Sequence, residues 1–195
     1  MKIFALDAHP GAEGFSKQLL AAYLDGASSA GGADIETMAL RDMEFDPVLH
    51  EGYRERQEWE PDLARAMEAL KACEHFVLAF PMWWGSEPAL LKGFFDRALL
   101  PGVAFKYHDN DPMWDRLLAG RSATALITGD TPGWFLRLQY GQPIIRQMKG
   151  QVLGFCGFKP ARVHYFAPIR KQKDATLAKW RKDARRLGEK ESRAR

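Results

Sequence analysis

Short apolar runs, each followed by a stretch of helical period, set the tightest limit on what this 195-residue chain can fold into. That alternation marks a parallel sheet wrapped by helices, because strands buried on both faces need cover above and below. Residues 3–8 predict the first strand. A helix over about residues 16–30 places Leu19, Leu20, Tyr23 and Leu24 on one side, and Gly31-Gly32 ends it. Ile35, Thr37 and Ala39 alternate with Glu36, Met38 and Leu40 as a second strand. A polar segment over 41–60 precedes a helix opened by Pro61, whose Leu63, Ala66, Met67 and Leu70 face the core. His75-Phe-Val-Leu-Ala-Phe80 is nearly all apolar, which suits a central strand. Beyond it the pattern predicts a helix over 88–99, an irregular stretch over 101–120 and a fourth strand over 122–128. A helix over 143–153, a fifth strand over 162–166 and a basic C-terminal helix over about 174–188 complete the reading, with 189–195 a frayed tail. Five such units predict one domain spanning residues 1–195, an α/β doubly wound, five-stranded parallel sheet in the order 2-1-3-4-5, with helices on both faces.

Composition supports one core and narrows the partners. The chain is 46% hydrophobic and 27% charged, close to the globular average. No stretch approaches the ~18 apolar residues of a membrane helix, and the N-terminal apolar run is too short for a signal peptide. Cys73 and Cys156 make no disulfide framework. A cytoplasmic protein without membrane insertion is expected. The net charge is +3, but residues 170–195 hold 11 Lys/Arg against 4 Asp/Glu, so the remainder carries −4. A mildly acidic body argues against nucleic acid as a partner.

In a doubly wound sheet, ligands bind beyond the carboxyl ends of the strands, at the switch point between strands 1 and 3. The loop after strand 1 is His9-Pro-Gly-Ala-Glu-Gly-Phe-Ser16 and leads straight into a helix. Helix N-terminal amides favour an anion, Gly11 and Gly14 allow close approach of a phosphate, and His9 and Ser16 can bond its oxygens. An ordinary turn with a Ser cap is the alternative. The loop after strand 3, Pro81-Met-Trp-Trp-Gly-Ser-Glu-Pro88, carries two adjacent tryptophans that suit a large planar ligand or a dimer interface. The loop after strand 4, Thr128-Gly-Asp-Thr-Pro-Gly-Trp-Phe135, offers backbone amides to negative charge on a bound ring, or is simply good turn chemistry. Together the three loops suit a phosphorylated planar cofactor such as a flavin mononucleotide or dinucleotide.

The run Phe80-Pro-Met-Trp-Trp-Gly-Ser-Glu-Pro-Ala-Leu-Leu-Lys-Gly-Phe-Phe-Asp-Arg97 resembles the NAD(P)H:quinone oxidoreductase family of flavodoxin-like flavoenzymes. Gly102-Val-Ala-Phe-Lys-Tyr107, His9-Pro10, Thr128-Gly129 and Gly154-Phe-Cys-Gly-Phe158 fall in matching order, and the resemblance extends to about Pro168. It implies a flavodoxin-like fold with the flavin phosphate held around His9, Gly14, Phe15 and Ser16. It implies the isoalloxazine lying against Pro81, Met82, Trp83, Trp84 and Gly85, and against Thr128, Gly129 and Asp130. Members are typically homodimers whose site the partner chain completes, with Phe105 and Tyr107 facing substrate. The implied reaction is ping-pong hydride transfer from NAD(P)H through the flavin to a quinone-like acceptor.

Animal members use a Tyr and a His after strand 4 to stabilise the reduced flavin, and a gapless alignment places Phe135 and Gly141 there, with Tyr140 adjacent. Trp84, Tyr107, Phe135 and Tyr140 are therefore the candidate catalytic residues. The resemblance to the quinone-reductase branch favours FAD, with FMN the alternative. Azo or nitroaromatic reduction is a second reading, and an ancillary redox-sensing flavoprotein regulating a partner such as a transporter is a third. No metal site is expected: Asp109-Asn-Asp111 starts like a calcium loop but lacks its glycine and distal glutamate, and the histidines show no ligand spacing. Cys156 reads as core rather than as a nucleophile. The last helix reads as docked on the sheet with its cationic face in water.

Overall fold

The computed structural model describes residues 1–193. Five parallel strands form its sheet: β1 (Lys2–Asp7), β2 (Asp34–Ala39), β3 (His75–Pro81), β6 (Ser122–Thr128) and β7 (Ala161–Phe166). Their spatial order is β2-β1-β3-β6-β7, the 2-1-3-4-5 arrangement once a small hairpin is set aside. That hairpin, β4 (Phe105–Tyr107) and β5 (Trp114–Arg116), lies in the stretch expected to be irregular. Its strands are three residues each, too short for their alternation to show in sequence. Packing holds them, because the Trp114 ring stacks on Phe155 at 4.5 Å and its Nε1–H donates to the Phe155 carbonyl at 2.9 Å.

Period-two alternation sorts the strands between two cores. Ile3, Ala5, Val77, Ala79 and Leu126 face α1 (Phe15–Ser29) and α6 (Asp174–Arg193). Phe4, Leu6, Phe76, Leu78 and Phe80 face the other layer, built from α2 (Pro61–Ala72), α3 (Ala89–Ala98) and residues 144–158. The α1–α6 contact is a close approach of backbones: a Cβ on Gly26 would collide with the Arg185 carbonyl, and one on Gly188 with the Tyr23 carbonyl. The polar segment 41–60 is held down by the fully buried Arg97, which donates to the carbonyls of Asp46 and Glu58 and pairs with Glu60 at 2.9 Å.

Three helical expectations need correction. Residues 133–140 form α4 (Gly133–Tyr140), although the Thr-Pro-Gly before it reads as a simple turn. Pro132 sits at its N-cap, and Gly141 ends it at φ 66°. The helix expected over 143–153 is α-helical only in α5 (Pro143–Arg146), then widens into a π-helical segment, Gln147–Gly154. The wider turn brings the Lys149 carbonyl within 2.6 Å of where a Gly154 Cβ would lie, so glycine is needed there. Finally, α6 continues to Arg193 instead of fraying after 188. Glu191 is the anchor: buried, it accepts hydrogen bonds from Tyr23 at 2.6 Å and from Thr124 at 2.7 Å. Residues 194–195 of the expected tail lie outside the described residues. No described helix is long and apolar enough to cross a membrane.

Candidate cofactor cavity

A cavity of about 910 Å³ opens at the carboxyl ends of β1, β3 and β6, where the strand order reverses. Its lining includes His9 and Phe15 from the first loop, Pro81, Met82, Trp83, Trp84 and Gly85 from the second, and Thr128, Gly129 and Asp130 from the third. Ten of the twelve residues named for cofactor binding thus share one wall. The other two, Gly14 and Ser16, sit just behind it at the start of α1.

That start is built for an anion. Ser16 is fully buried, and its Oγ has no hydrogen-bond partner among the described residues. The amides of the first helical turn have no intrahelical acceptor and point the same way. Gly14 must lack a side chain, since a Cβ there would run into the His9 ring. That ring is fixed in turn. Its backbone N–H donates to Asp7 Oδ1 at 3.1 Å, and the Gly11 N–H donates to Nδ1 at 2.9 Å. The Gly11 carbonyl also lies 3.0 Å from Nδ1, so Gly11 holds that edge of the ring and Nε2 is left facing away from it. Asp7 is itself buried and held by Arg41 at 2.6 Å, a bond that raises the guanidinium further above its ordinary value. Neither residue is legible as functional in sequence, because they serve the site only through His9.

The second loop is a tight reverse turn closed by Trp83 N–H to the Ser86 carbonyl at 2.9 Å and Ser86 N–H to the Trp83 carbonyl at 3.0 Å. Its central residues, Trp84 at φ 53° and Gly85 at φ 78°, both lie at positive φ, as a mirror-image turn requires. Trp84 has a fully exposed side chain, so no contact within this chain compensates its strained backbone. Among the described residues the other two non-glycine positions at positive φ are Gln142 and Lys171. Each adjoins a residue lining the cavity, Pro143 and Arg170. Strain concentrated around one opening marks a functional site.

In the third loop, Gly129 lies against Tyr165, whose hydroxyl a Cβ would strike. Burial, with a smaller push from Asp130, raises the Tyr165 hydroxyl to about 12, and it donates to the Thr131 carbonyl at 2.8 Å. Asp130 lines the cavity, but its carboxylate also tethers the loop before α6, accepting the Arg170 N–H at 2.7 Å. Ile169 and Arg170 thereby join the wall. Sequence reading singled out neither, nor Thr131, Leu136 and Pro143: Thr131 sits in one of the three ligand-facing loops, but the others lie outside those loops or in a stretch that reads as helix.

The candidate catalytic residues divide. Trp84 and Tyr140 line the cavity. Phe135 does not; its ring lies edge-on to Tyr140 at 5.6 Å. Phe105 and Tyr107 belong to the hairpin and border a separate recess of about 210 Å³ with Glu87, Gln147 and Phe155. Asp111 bonds the His108 ring at 3.0 Å and the Met113 amide at 2.7 Å, so the short acidic segment is internally engaged. Burial raises the Cys73 thiol to about 11 and that of Cys156 to about 12, so neither is a ready thiolate.

An anion cradle with an orphaned hydroxyl, joined to an aromatic wall with inward-facing turns, fits a phosphorylated planar cofactor. A family model described as Flavodoxin-like fold matches residues 1–188. The NAD(P)H dehydrogenase [quinone] 1 of Rattus norvegicus is 29% identical over 105 residues, covering 51% of this chain and 37% of that protein. An FMN-dependent NADH:quinone oxidoreductase of Stenotrophomonas maltophilia is 30% identical over 159 residues, covering 76% of each. In structure, the NAD(P)H:quinone oxidoreductase from Methanothermobacter marburgensis superposes with a TM-score of 0.81 at 24% identity, over 97% of this chain and 98% of that one.

Proposed function

The chain belongs to the flavodoxin-like fold family, and on that premise we propose that it is an FMN-dependent oxidoreductase that reduces quinone-like acceptors with NAD(P)H. The observation that carries the proposal is the cavity itself. It joins an anion site at the N-terminus of α1 to the Trp83–Trp84 turn at the switch point of the sheet. When bound, the flavin supplies a ring that accepts two electrons as hydride from the nicotinamide and passes them to the acceptor.

The protein's part is to hold and orient. Ser16, the first-turn amides of α1 and the His9 ring would hold the phosphate. Trp83 and Met82 fix the ring plane, while the amides after Trp84 and Thr128 face its polar edge and favour negative charge there. Tyr140, at the cavity wall and next to Gly141, would substitute for the animal members' Tyr and His pair. The Met82 N–H donates to the Thr128 carbonyl at 2.6 Å, locking the second and third loops to each other.

FMN replaces FAD as the preferred cofactor. The Stenotrophomonas maltophilia relative, matched across three quarters of its length, is FMN-dependent by name. The rat enzyme that favours the other branch aligns over little more than a third of its length. A cytoplasmic homodimer is part of the proposal, with the exposed Tyr107 reaching the partner's cavity from the hairpin while Phe105, buried in this chain's own core, supports it. Azo compounds are the competing acceptors, since the same cavity would admit them.

Released cofactor run against FMN and FAD standards, followed by steady-state assays with a naphthoquinone and an azo dye, tests this reading. FMN with faster quinone turnover is expected. A protein that neither carries nor takes up flavin would overturn it, and faster azo turnover would exchange the acceptor.

A further inference from the structure

Among the described residues Arg170 is the one Arg or Lys lining the cavity, in a wall whose other members are mostly aromatic, apolar or glycine, with Asp130 as its one acidic side chain. We propose that its guanidinium reads a negative charge on the substrate that shares the cavity with the flavin, selecting anionic molecules over neutral ones of the same shape. The inference rests on the reductase reading above.

Three observations place the guanidinium for this. The backbone beneath it is fixed, with the Arg170 N–H on Asp130 Oδ1 at 2.7 Å and the Ile169 N–H on the Gly129 carbonyl at 2.9 Å. The next residue, Lys171, is held at φ 61°, a conformation that a side chain with a Cβ disfavours, so the loop is bent against its own preference. Asp130 Oδ2 lies 3.7 Å from Nε, beyond hydrogen-bond reach. It steers the side chain without consuming its donors. The two terminal nitrogens make no hydrogen bond among the described residues, and 78% of the side chain is open to solvent.

Paired guanidinium N–H groups match the oxygens of a carboxylate, sulfonate or phosphate in a way a single ammonium does not. Such a charge can arrive from two sources in a ping-pong cycle. One is the 2′-phosphate that separates NADPH from NADH, and the other is an acidic substituent on the acceptor. Both present the same oxyanion, and the two half-reactions separate them.

The test uses the FMN-loaded protein in a stopped-flow instrument. One arm compares flavin bleaching by NADPH and by NADH. The other compares reoxidation of the reduced protein by 1,4-naphthoquinone-2-sulfonate and by 1,4-naphthoquinone. Each ratio of kcat/KM, anionic over neutral, is compared with that of the parent protein, so differences in intrinsic reactivity cancel. In one arm Arg170→Gln lowers the ratio about tenfold, the scale of one charge-assisted hydrogen bond, and does so through KM. Arg170→Glu lowers it further and Arg170→Lys restores part of it. Lys190→Glu, an equal charge change at the far end of α6, leaves it in place. The arm that responds identifies the source.

Ratios within twofold of the parent in both arms overturn the proposal. So does a tenfold loss of FMN affinity in Arg170→Gln, which would assign the guanidinium to the flavin phosphate. Failure of the parent protein to bleach with either nicotinamide would instead strike the reductase reading, and the proposal would fall with it.

Discussion

A buried hydroxyl without a partner costs free energy, and Ser16 carries that cost where α1 begins. The expense is intelligible if a phosphate oxygen completes the bond. Ser16→Ala should therefore weaken FMN binding about tenfold, read by quenching of flavin fluorescence, while the apoprotein's melting temperature stays level or rises. Trp84 offers a parallel case in the backbone. Trp84→Gly removes the penalty of a left-handed tryptophan and should stabilise the apoprotein by ~1 kcal/mol in urea titration, yet lose flavin faster on dialysis. Trp83→Ala with Trp84→Ala should also lose flavin, and unchanged retention would remove the ring from that loop. At this scale sequence was informative wherever the chemistry sits in a loop directly after a strand. His9, Ser16 and the tryptophan pair were legible for that reason. Asp7, Arg41 and Arg170 were not, because each acts through a neighbour or a tether that only the folded chain brings near.

Among the elements, α6 is attached more firmly than its composition suggests. A chain of bonds runs under its last turns, from Ser122 Oγ to His75 Nδ1 at 2.7 Å, from His75 Nε2 to Tyr23 Oη at 2.9 Å and from Tyr23 to Glu191. Tyr23 gives its only proton to Glu191, so it accepts from a proton on His75 Nε2. Serine, histidine and glutamate in that order resemble a catalytic set, but His75 and Ser122 are buried at the end of the sheet opposite the cavity. They form a latch.

Burial alone would raise the Glu191 carboxyl. The bonds from His75, Tyr23 and Thr124 outweigh it and hold the group down at about 2, against 4.5 when free. Its contribution, ~3 kcal/mol, is therefore complete above pH 4.5 and is lost as pH falls towards 2. Glu191→Ala should destabilise the fold near neutrality and flatten its loss of stability in acid, as urea titrations between pH 3 and 7 would record. A variant as acid-sensitive as the parent would contradict the latch. Gly188→Ala should also destabilise, because its Cβ meets the Tyr23 carbonyl with no room to yield. The sequence predicts a frayed tail over 189–195, and those residues carry no apolar stripe that would dock them. One glutamate finding a buried partner set reverses that, and no local pattern announces it. The same limit applies to the hairpin and to the π-helical segment, whose causes are tertiary.

For the molecule as a whole, the doubly wound sheet was readable because its strands are continuous apolar runs and its helices show a clean period. Its strand order followed from that count of units together with the common solution for such a sheet. What sequence could not supply was the relation between the cavity and the hairpin. Tyr107 stands in a separate recess, with Trp84, Tyr140 and Tyr107 all exposed. A dimer that joins these surfaces predicts a mass near twice 22.1 kDa by light scattering. It also predicts that Tyr107→Ala lowers acceptor turnover several-fold with FMN affinity little changed, which a monomer would not show.

The central claim, that the cavity holds a flavin reducible by a nicotinamide, is tested most directly by an anaerobic absorbance spectrum of the FMN-loaded protein before and after one equivalent of NADH or NADPH. The account predicts loss of the yellow absorbance within mixing and its return on adding a quinone. A protein that takes up no flavin, or whose bound flavin neither nicotinamide bleaches, would contradict it.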